Sequence, residues 1–218
     1  MDGVILDNKK QYTLGEEIFN SVSHGAGALL AIAGCVVLIV FSAIYGGAWE
    51  VVSASIYGAT LIILYTMSTL YHALTNPKAK RVFRILDHNT IFLLIAGTYT
   101  PYTLVSIRGA LGWTIFGIIW GMAILGITLN SVNLEKFKKF SMICYVAMGW
   151  AIVLAIKPLV HAIPLISTVF LLVGGVCYSI GIPFYKRKQT KYMHSIWHLF
   201  VIAGSVFHYF SVFFAIVH

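Results

Sequence analysis

Two histidines that lie four residues apart, His194 and His198, begin the last apolar stretch of the sequence. On a helix, residues with this spacing lie on one face with Cβ atoms about 6 Å apart, so their imidazoles could bind a single metal ion. Helical histidines also serve as ordinary hydrogen-bonded packing residues. The pair alone is therefore ambiguous, and its interpretation depends on which other polar residues the fold brings to it.

The composition is that of a membrane protein. Of the 218 residues, 59% are hydrophobic and 10% are charged, whereas about a quarter are charged in a soluble domain. The net charge of +8 comes from Lys and Arg in short segments between apolar runs, not from one basic patch. This pattern favours a role in membrane topology and argues against nucleic-acid binding.

The apolar runs predict a seven-transmembrane helix bundle of the all-α class. A hydrocarbon core about 30 Å thick needs about 20 residues of helix, and lipid offers the backbone no hydrogen-bond partners. We expect residues 1–218 to form one domain, with a short cytoplasmic segment at residues 1–17. The predicted spans are 20–44, 49–74, 82–106, 110–130, 137–156, 163–185 and 193–217.

The distribution of positive charge predicts the orientation of the bundle. Of the 15 Lys and Arg residues, all except Arg108 and Lys157 fall on one side of the predicted spans. Short cytoplasmic loops are enriched in Lys and Arg, so this side faces the cytoplasm. The N-terminus is then cytoplasmic, and after seven crossings the C-terminus lies outside.

With this topology, polar residues from four predicted helices reach one depth near the cytoplasmic face. Each has a simple structural alternative, such as a helix cap, an ion pair or a side chain that extends toward water. Ionisable groups are nevertheless costly to bury in a bilayer, and together they mark a functional site. The residues are Glu17, Asn20, His24, His72, Asp87, His194 and His198.

Three imidazoles at this depth supply the ligand set of a catalytic zinc, with the fourth tetrahedral position left for water. They belong to His72, His194 and His198. Zinc lowers the pKa of bound water to about 7, and a nearby carboxylate can orient that water or take its proton. Asp87 is the only acidic residue inside a predicted span at this depth, so it is the candidate base.

Ser68 and His88 are neighbours of these candidates. Ser68 lies one turn before His72 and could bond a ligand or stabilise an oxyanion, although such hydroxyls commonly bond the carbonyl four residues earlier. His88 follows Asp87 and points about 100° away around the helix, which leaves it at most a supporting role. His208 lies about 15 Å beyond His198 along the axis and cannot share the same ion.

The motifs resemble those of the progestin and adipoQ receptor family, which includes the adiponectin receptors, and in particular its bacterial branch, the haemolysin III family. The resemblance covers nearly the whole chain. It rests on four motifs in order: Glu17-x-x-Asn20-x-x-x-His24-x-x-Gly27, Ser68-x-x-x-His72, Leu86-Asp87 followed by Gly97-x-x-x-Pro101, and His194-x-x-x-His198.

This resemblance implies a seven-helix protein of the bacterial inner membrane with a zinc ion near the inner leaflet. The implied ligands are His72, His194 and His198, with Asp87 beside the bound water and Ser68 close by. The wider superfamily contains ceramidase-like amide hydrolases, which implies hydrolysis of a lipid amide or ester. The expected partners are the bilayer and a lipid substrate or ligand in the bundle cavity.

Three functions remain open from the sequence. The leading one is a zinc-dependent lipid hydrolase. The second is a cytolytic or pore-forming membrane protein with a structural zinc, and the third is a receptor or sensor that binds lipid in the same cavity. An open coordination position beside a carboxylate favours hydrolysis, whereas a closed four-ligand site favours a structural metal. The sequence assigns no role to Glu17, Asn20 and His24.

Overall fold

A computed structural model of the chain describes residues 12–187 and 190–217, and these form helices and turns without any β-strand. The predicted all-α class is confirmed, and most of the predicted N-terminal segment lies outside the described residues. A π-helical turn at Tyr102–Ser106 follows α3, and a 3₁₀ turn at Ala151–Ala155 follows α4. The helices are α1 (Leu14–Tyr45), α2 (Ala48–Ala73), α3 (Pro77–Pro101), α4 (Ala110–Trp150), α5 (Ile156–Ala162), α6 (Leu165–Lys186) and α7 (Met193–Val217).

Within the described residues, five helical stretches are long and apolar enough to cross a membrane: α1, α2, the stretch Ala110–Ala162, α6 and α7. The chain is therefore an integral membrane protein. Helix α3 has 25 residues and is long enough, but it is not among the five. Its first turns carry four basic residues, Lys78, Lys80, Arg81 and Arg84, which make it less apolar.

The long helix α4 is divided at Asn133, where the backbone leaves the helical conformation with φ −159° and ψ 93°. The hydroxyl of Ser141 donates to Asn130 Oδ1 at 2.7 Å. Along a straight helix these residues would be separated by about 16 Å, so the chain must turn back between them. The Asn133 side chain accepts from the backbone N–H of Lys136 at 3.0 Å, which caps the segment that follows.

The first half of α4, residues 110–132, runs antiparallel to α3. Asn89 in the middle of α3 donates to Ser131 at 2.9 Å, and Thr100 near the end of α3 accepts from the indole of Trp120 at 3.2 Å. The order of partners along the first half is thus reversed relative to α3.

The second half of α4, residues 134–150, runs parallel to α3. Arg84 pairs with Glu135, and the hydroxyl of Tyr99, further along α3, donates to the carbonyl of Met148 at 2.6 Å. Both halves therefore pack along α3 in opposite directions.

The starts of α1, α3 and α7 meet the end of α2 at one end of the bundle, which we call the histidine end. Thr13 and Glu16 form a reciprocal capping box that begins α1. Glu16 also accepts from the backbone N–H of Tyr192, immediately before α7, at 2.8 Å. Lys80 of α3 pairs with Glu17 of α1 at 2.8 Å.

Candidate metal centre

Three buried histidines form a cluster at the histidine end: His72 in the last turn of α2, and His194 and His198 in the first turns of α7. One ring nitrogen of each lies within 4.8 Å of the others, and the Nε2 atoms of His194 and His198 are 3.1 Å apart. Nitrogens bound to a tetrahedral zinc lie about 3.3 Å apart, as follows from Zn–N bonds of about 2.0–2.1 Å. The cluster could hold a metal ion after a small inward movement of the rings.

The hydrogen bonding of His72 fits a metal ligand. Its Nδ1 lies 2.6 Å from Oε2 of Glu17, whereas its Nε2 is buried and has no hydrogen-bond partner among the described residues. A neutral imidazole that donates from Nδ1 to a carboxylate presents the lone pair of Nε2, which is the usual arrangement at a histidine-bound metal.

His24 of α1 contacts the cluster in a different way. Its ring stacks on that of His198, with centroids 3.6 Å apart and planes only 16° from parallel. A metal ion bound by an imidazole lies in the plane of that ring. Two rings stacked in this way cannot bind the same ion, so His24 covers the face of His198 and is not a fourth ligand beside it.

Tyr12 covers the cluster at the histidine end. Its ring is 5% exposed, stacks on His194 with centroids 4.8 Å apart, and lies 5.6 Å from His72. Burial raises the pKa of the Tyr12 hydroxyl far above its ordinary value, and neighbouring tyrosines and carboxylates add to this effect. Tyr12 therefore remains a neutral phenol over the two imidazoles.

The sequence-predicted residues Asp87 and Ser68 line one cavity together with His194 and His198. The cavity follows α3 from Asp87 to Tyr99, a distance of about 18 Å along the helix, and α2, the second half of α4, α6 and α7 contribute its other walls. Its lining is mainly apolar. A carboxylate and a hydroxyl therefore share this cavity with two imidazoles of the cluster.

His88 and His208 lie outside the cluster. The ring of His88 contacts the carbonyl of Arg84 at 2.9 Å and the hydroxyl of Tyr185 at 3.3 Å. His208 contacts the carbonyl of Leu171 at 3.1 Å, further along the cavity. The ring of His88 is thus held by contacts to α3 and α6, and that of His208 by a contact to α6.

The sequence places Glu17, Asn20 and His24 at the depth of the histidines without indicating their roles, and in the structure Glu17 and His24 contact the cluster directly. Asn20 is fully buried and accepts from the hydroxyl of Ser195 in α7 at 2.7 Å. The spacing of three and four residues places all three on one helical face. Their depth in the bundle does not by itself reveal which residue each contacts.

Fold and site together define a helical integral membrane protein with a buried three-histidine cluster at one end of its bundle. A family model described as Haemolysin-III related matches residues 12–209, and the chain belongs to that family. The predicted resemblance is confirmed.

Proteins similar to this chain come from bacteria and mammals. Hemolysin-3 of Bacillus cereus is 44% identical over 202 residues, which cover 93% of this chain and 92% of the relative. Hemolysin-3 homolog of Bacillus subtilis (strain 168) is 42% identical over 203 residues, 93% and 95% of the two chains. Monocyte to macrophage differentiation factor of Homo sapiens is 29% identical over 206 residues, 92% and 84%. No solved structure matches the chain significantly.

Proposed function

We propose that this protein is a zinc-dependent hydrolase of the bacterial inner membrane that cleaves an amide or ester bond of a lipid near the inner leaflet. The observation that carries the proposal is the cluster of three buried imidazoles, two of which, His194 and His198, line an apolar cavity together with Asp87. The stacked geometry of His24 supports a coordination position that is left for water or substrate.

The proposal includes a seven-span topology with the N-terminus in the cytoplasm and the C-terminus outside. The turn at Asn133 and the opposite directions of the two halves of α4 support seven crossings, with α3 as one of them. Most Lys and Arg residues of the connecting segments lie at the histidine end, which supports its cytoplasmic location. The lipid carbonyl would then be attacked near the inner leaflet.

The residues of the cluster have distinct roles in this proposal. His72, His194 and His198 bind the metal as neutral imidazoles, with Glu17 as acceptor for His72. A zinc ion bound there would polarise the carbonyl of the substrate and lower the pKa of a bound water. Asp87 takes the proton of the attacking water and returns it to the leaving group. Ser68 donates a hydrogen bond to the developing oxyanion.

The cavity supports a substrate with a long apolar chain. Along α3 its wall includes Ile91, Leu94 and Ile95, and along α6 it includes Leu171 and Ile182. An acyl chain placed along these side chains would bury apolar surface and bring its carbonyl to the end where Asp87 and the histidines lie. The same walls exclude bulk water from the reaction, which strengthens electrostatic interactions inside.

Lipid hydrolysis by the zinc-loaded protein is the test. Purified protein is incubated with N-acyl and ester lipids, and the released fatty acid is measured by mass spectrometry. We expect release by the wild type, and a loss of about 10²- to 10⁴-fold in Asp87→Asn, as is typical when a general base is removed. Zinc content, measured in parallel, should persist in Asp87→Asn and be lost in His198→Ala.

The matched control is Glu50→Gln, which removes a carboxylate at the start of α2, away from the cluster. Its activity should equal that of the wild type. If zinc-loaded wild type releases no fatty acid from any lipid of the panel, hydrolysis is not the function.

The names of the Bacillus relatives favour a second candidate, a cytolytic membrane protein in which the metal is structural. This function predicts leakage of dye from vesicles of non-hydrolysable ether lipids, and equal leakage with Asp87→Asn. The hydrolase predicts no leakage from such vesicles, because their lipids contain no bond that the site can cleave.

A further inference from the structure

Helix α1 presents three polar side chains, Glu17, Asn20 and His24, to the helices that carry the histidine cluster. Asn20 and His24 are buried, and the side chain of Glu17 is 19% exposed. Their spacing of three and four residues places them on a single face of α1. The proposed hydrolysis uses none of them to bind substrate or to transfer a proton.

Each of the three residues contacts a different part of the metal centre. Glu17 bonds the ring of His72, and His24 stacks on the ring of His198. Asn20 accepts from Ser195, the residue that follows His194 in α7. One face of α1 therefore touches both helices that supply the ligands.

The carboxylate of Glu17 is held from two sides. Its Oε2 lies 2.6 Å from Nδ1 of His72, and its Oε1 lies 2.8 Å from Nζ of Lys80. Lys80 also donates to the carbonyl of Leu74 at 3.2 Å, in the connection between α2 and α3. The ammonium of Lys80 can only donate, so Oε1 of Glu17 accepts from it while Oε2 faces Nδ1 of His72.

We propose that this face of α1 is a positioning frame for the metal centre and that Glu17 is its principal positioning residue. The inference rests on the proposed metal site. As an acceptor for Nδ1–H of His72, Glu17 keeps that proton in place and turns the lone pair of Nε2 toward the other two imidazoles. His24 and Asn20 limit the movement of α7 against α1.

The substitution Glu17→Gln tests this role because it keeps the size of the side chain and adds a donor. The amide group that this substitution introduces can donate to Nδ1 of His72, which favours the tautomer with the proton on Nε2 and so competes with metal binding. Removal of a carboxylate partner of a metal-bound histidine typically weakens metal affinity about 10- to 100-fold. We expect that loss for Glu17→Gln when zinc is titrated against a competing chelator.

Two matched variants give the comparison. Glu50→Gln makes the same chemical change at a carboxylate that also accepts a hydrogen bond, from the backbone N–H of Gly47 at 2.7 Å, and should bind zinc like the wild type. Lys80→Met keeps the contact between Glu17 and His72 but removes the ion pair. Its zinc affinity should fall less than that of Glu17→Gln.

A second measurement does not depend on any variant's folding. Nitrogen-15 NMR of histidine-labelled, metal-free wild type should show His72 as the neutral tautomer with its proton on Nδ1. A His72 with its proton on Nε2 would overturn the inference, as would wild-type zinc affinity in Glu17→Gln. If the wild type itself binds no zinc, the proposed metal site fails, and the tautomer measurement still decides whether Glu17 orients His72.

Discussion

The orientation of each imidazole ring determines what that residue can do at the cluster. The rings of His194 and His198 are tilted by 64° and approach through their Nε2 atoms, so both can direct a lone pair toward one ion. The ring of His24 lies almost parallel to that of His198, so its nitrogens are in a different plane. Burial alone would not separate these roles, because all three side chains are buried.

This difference predicts that His24→Phe retains zinc, whereas His198→Phe loses it. Phenylalanine preserves the aromatic contact with His198. Because an aromatic pair contributes about 0.5–1.5 kcal/mol, even a weakened contact should lower zinc affinity by less than about tenfold. The measurement is zinc content after purification, together with affinity from chelator competition. Loss of stoichiometric zinc in His24→Phe would instead identify His24 as a ligand and favour a closed, structural site.

At the scale of the helices, α3 packs against both halves of α4. Phe92 of α3 contacts both of these halves. Its ring is fully buried, packs on Tyr145 in the second half with centroids 4.4 Å apart, and fills the space beside Gly126 in the first half. This packing fixes the middle of α3 relative to the rest of the bundle, and Asp87 lies five residues before Phe92. The position of Asp87 therefore depends on it.

Substitution of glycine by alanine should have opposite effects at two positions of α4. A Cβ atom at Gly126 would overlap the ring of Phe92, whereas Gly117 has open space around it. Overpacking of this kind typically costs about 1–3 kcal/mol, so Gly126→Ala should lower the free energy of unfolding. Gly117→Ala should leave it unchanged or raise it by up to about 1 kcal/mol, because alanine favours the helix.

The comparison uses reversible unfolding in detergent, followed by the loss of helical circular dichroism. Both variants introduce the same methyl group into the same helix, so helix propensity cancels between them. Equal stability of the two variants would show that α3 does not pack against the first half of α4 at Phe92.

The sequence predicted the helical class, the membrane environment and the residues of the histidine cluster, because each depends on helix length and on depth within the bundle. Helix α1 begins six residues before the predicted span 20–44. The capping box of Thr13 and Glu16 begins the helix at Leu14, so Glu17 already lies within it. Its contact with His72 depends on how α1 packs against α2, which hydrophobic periodicity does not determine.

At the scale of the whole molecule, the two ends of the bundle differ in charge. The histidine end carries the basic start of α3 and, after the turn at Asn133, Lys136, Lys138 and Lys139. The opposite end carries Arg108, which lies over the ring of Trp49 with its guanidinium 4.2 Å from the ring centroid. Positively charged segments remain in the cytoplasm during insertion, so this asymmetry favours a cytoplasmic histidine end.

Single cysteines at Lys139 and Arg108, in a background with Cys35, Cys144 and Cys177 replaced by alanine, would test this topology. Both positions are exposed, and the proposed topology separates them by one crossing. A membrane-impermeant maleimide should label Arg108→Cys in intact cells but should label Lys139→Cys only after permeabilisation. The reverse pattern would show the opposite orientation, with the histidine end at the outer leaflet. Labelling of both in intact cells would contradict a crossing between them, because the first half of α4 could then not span the membrane.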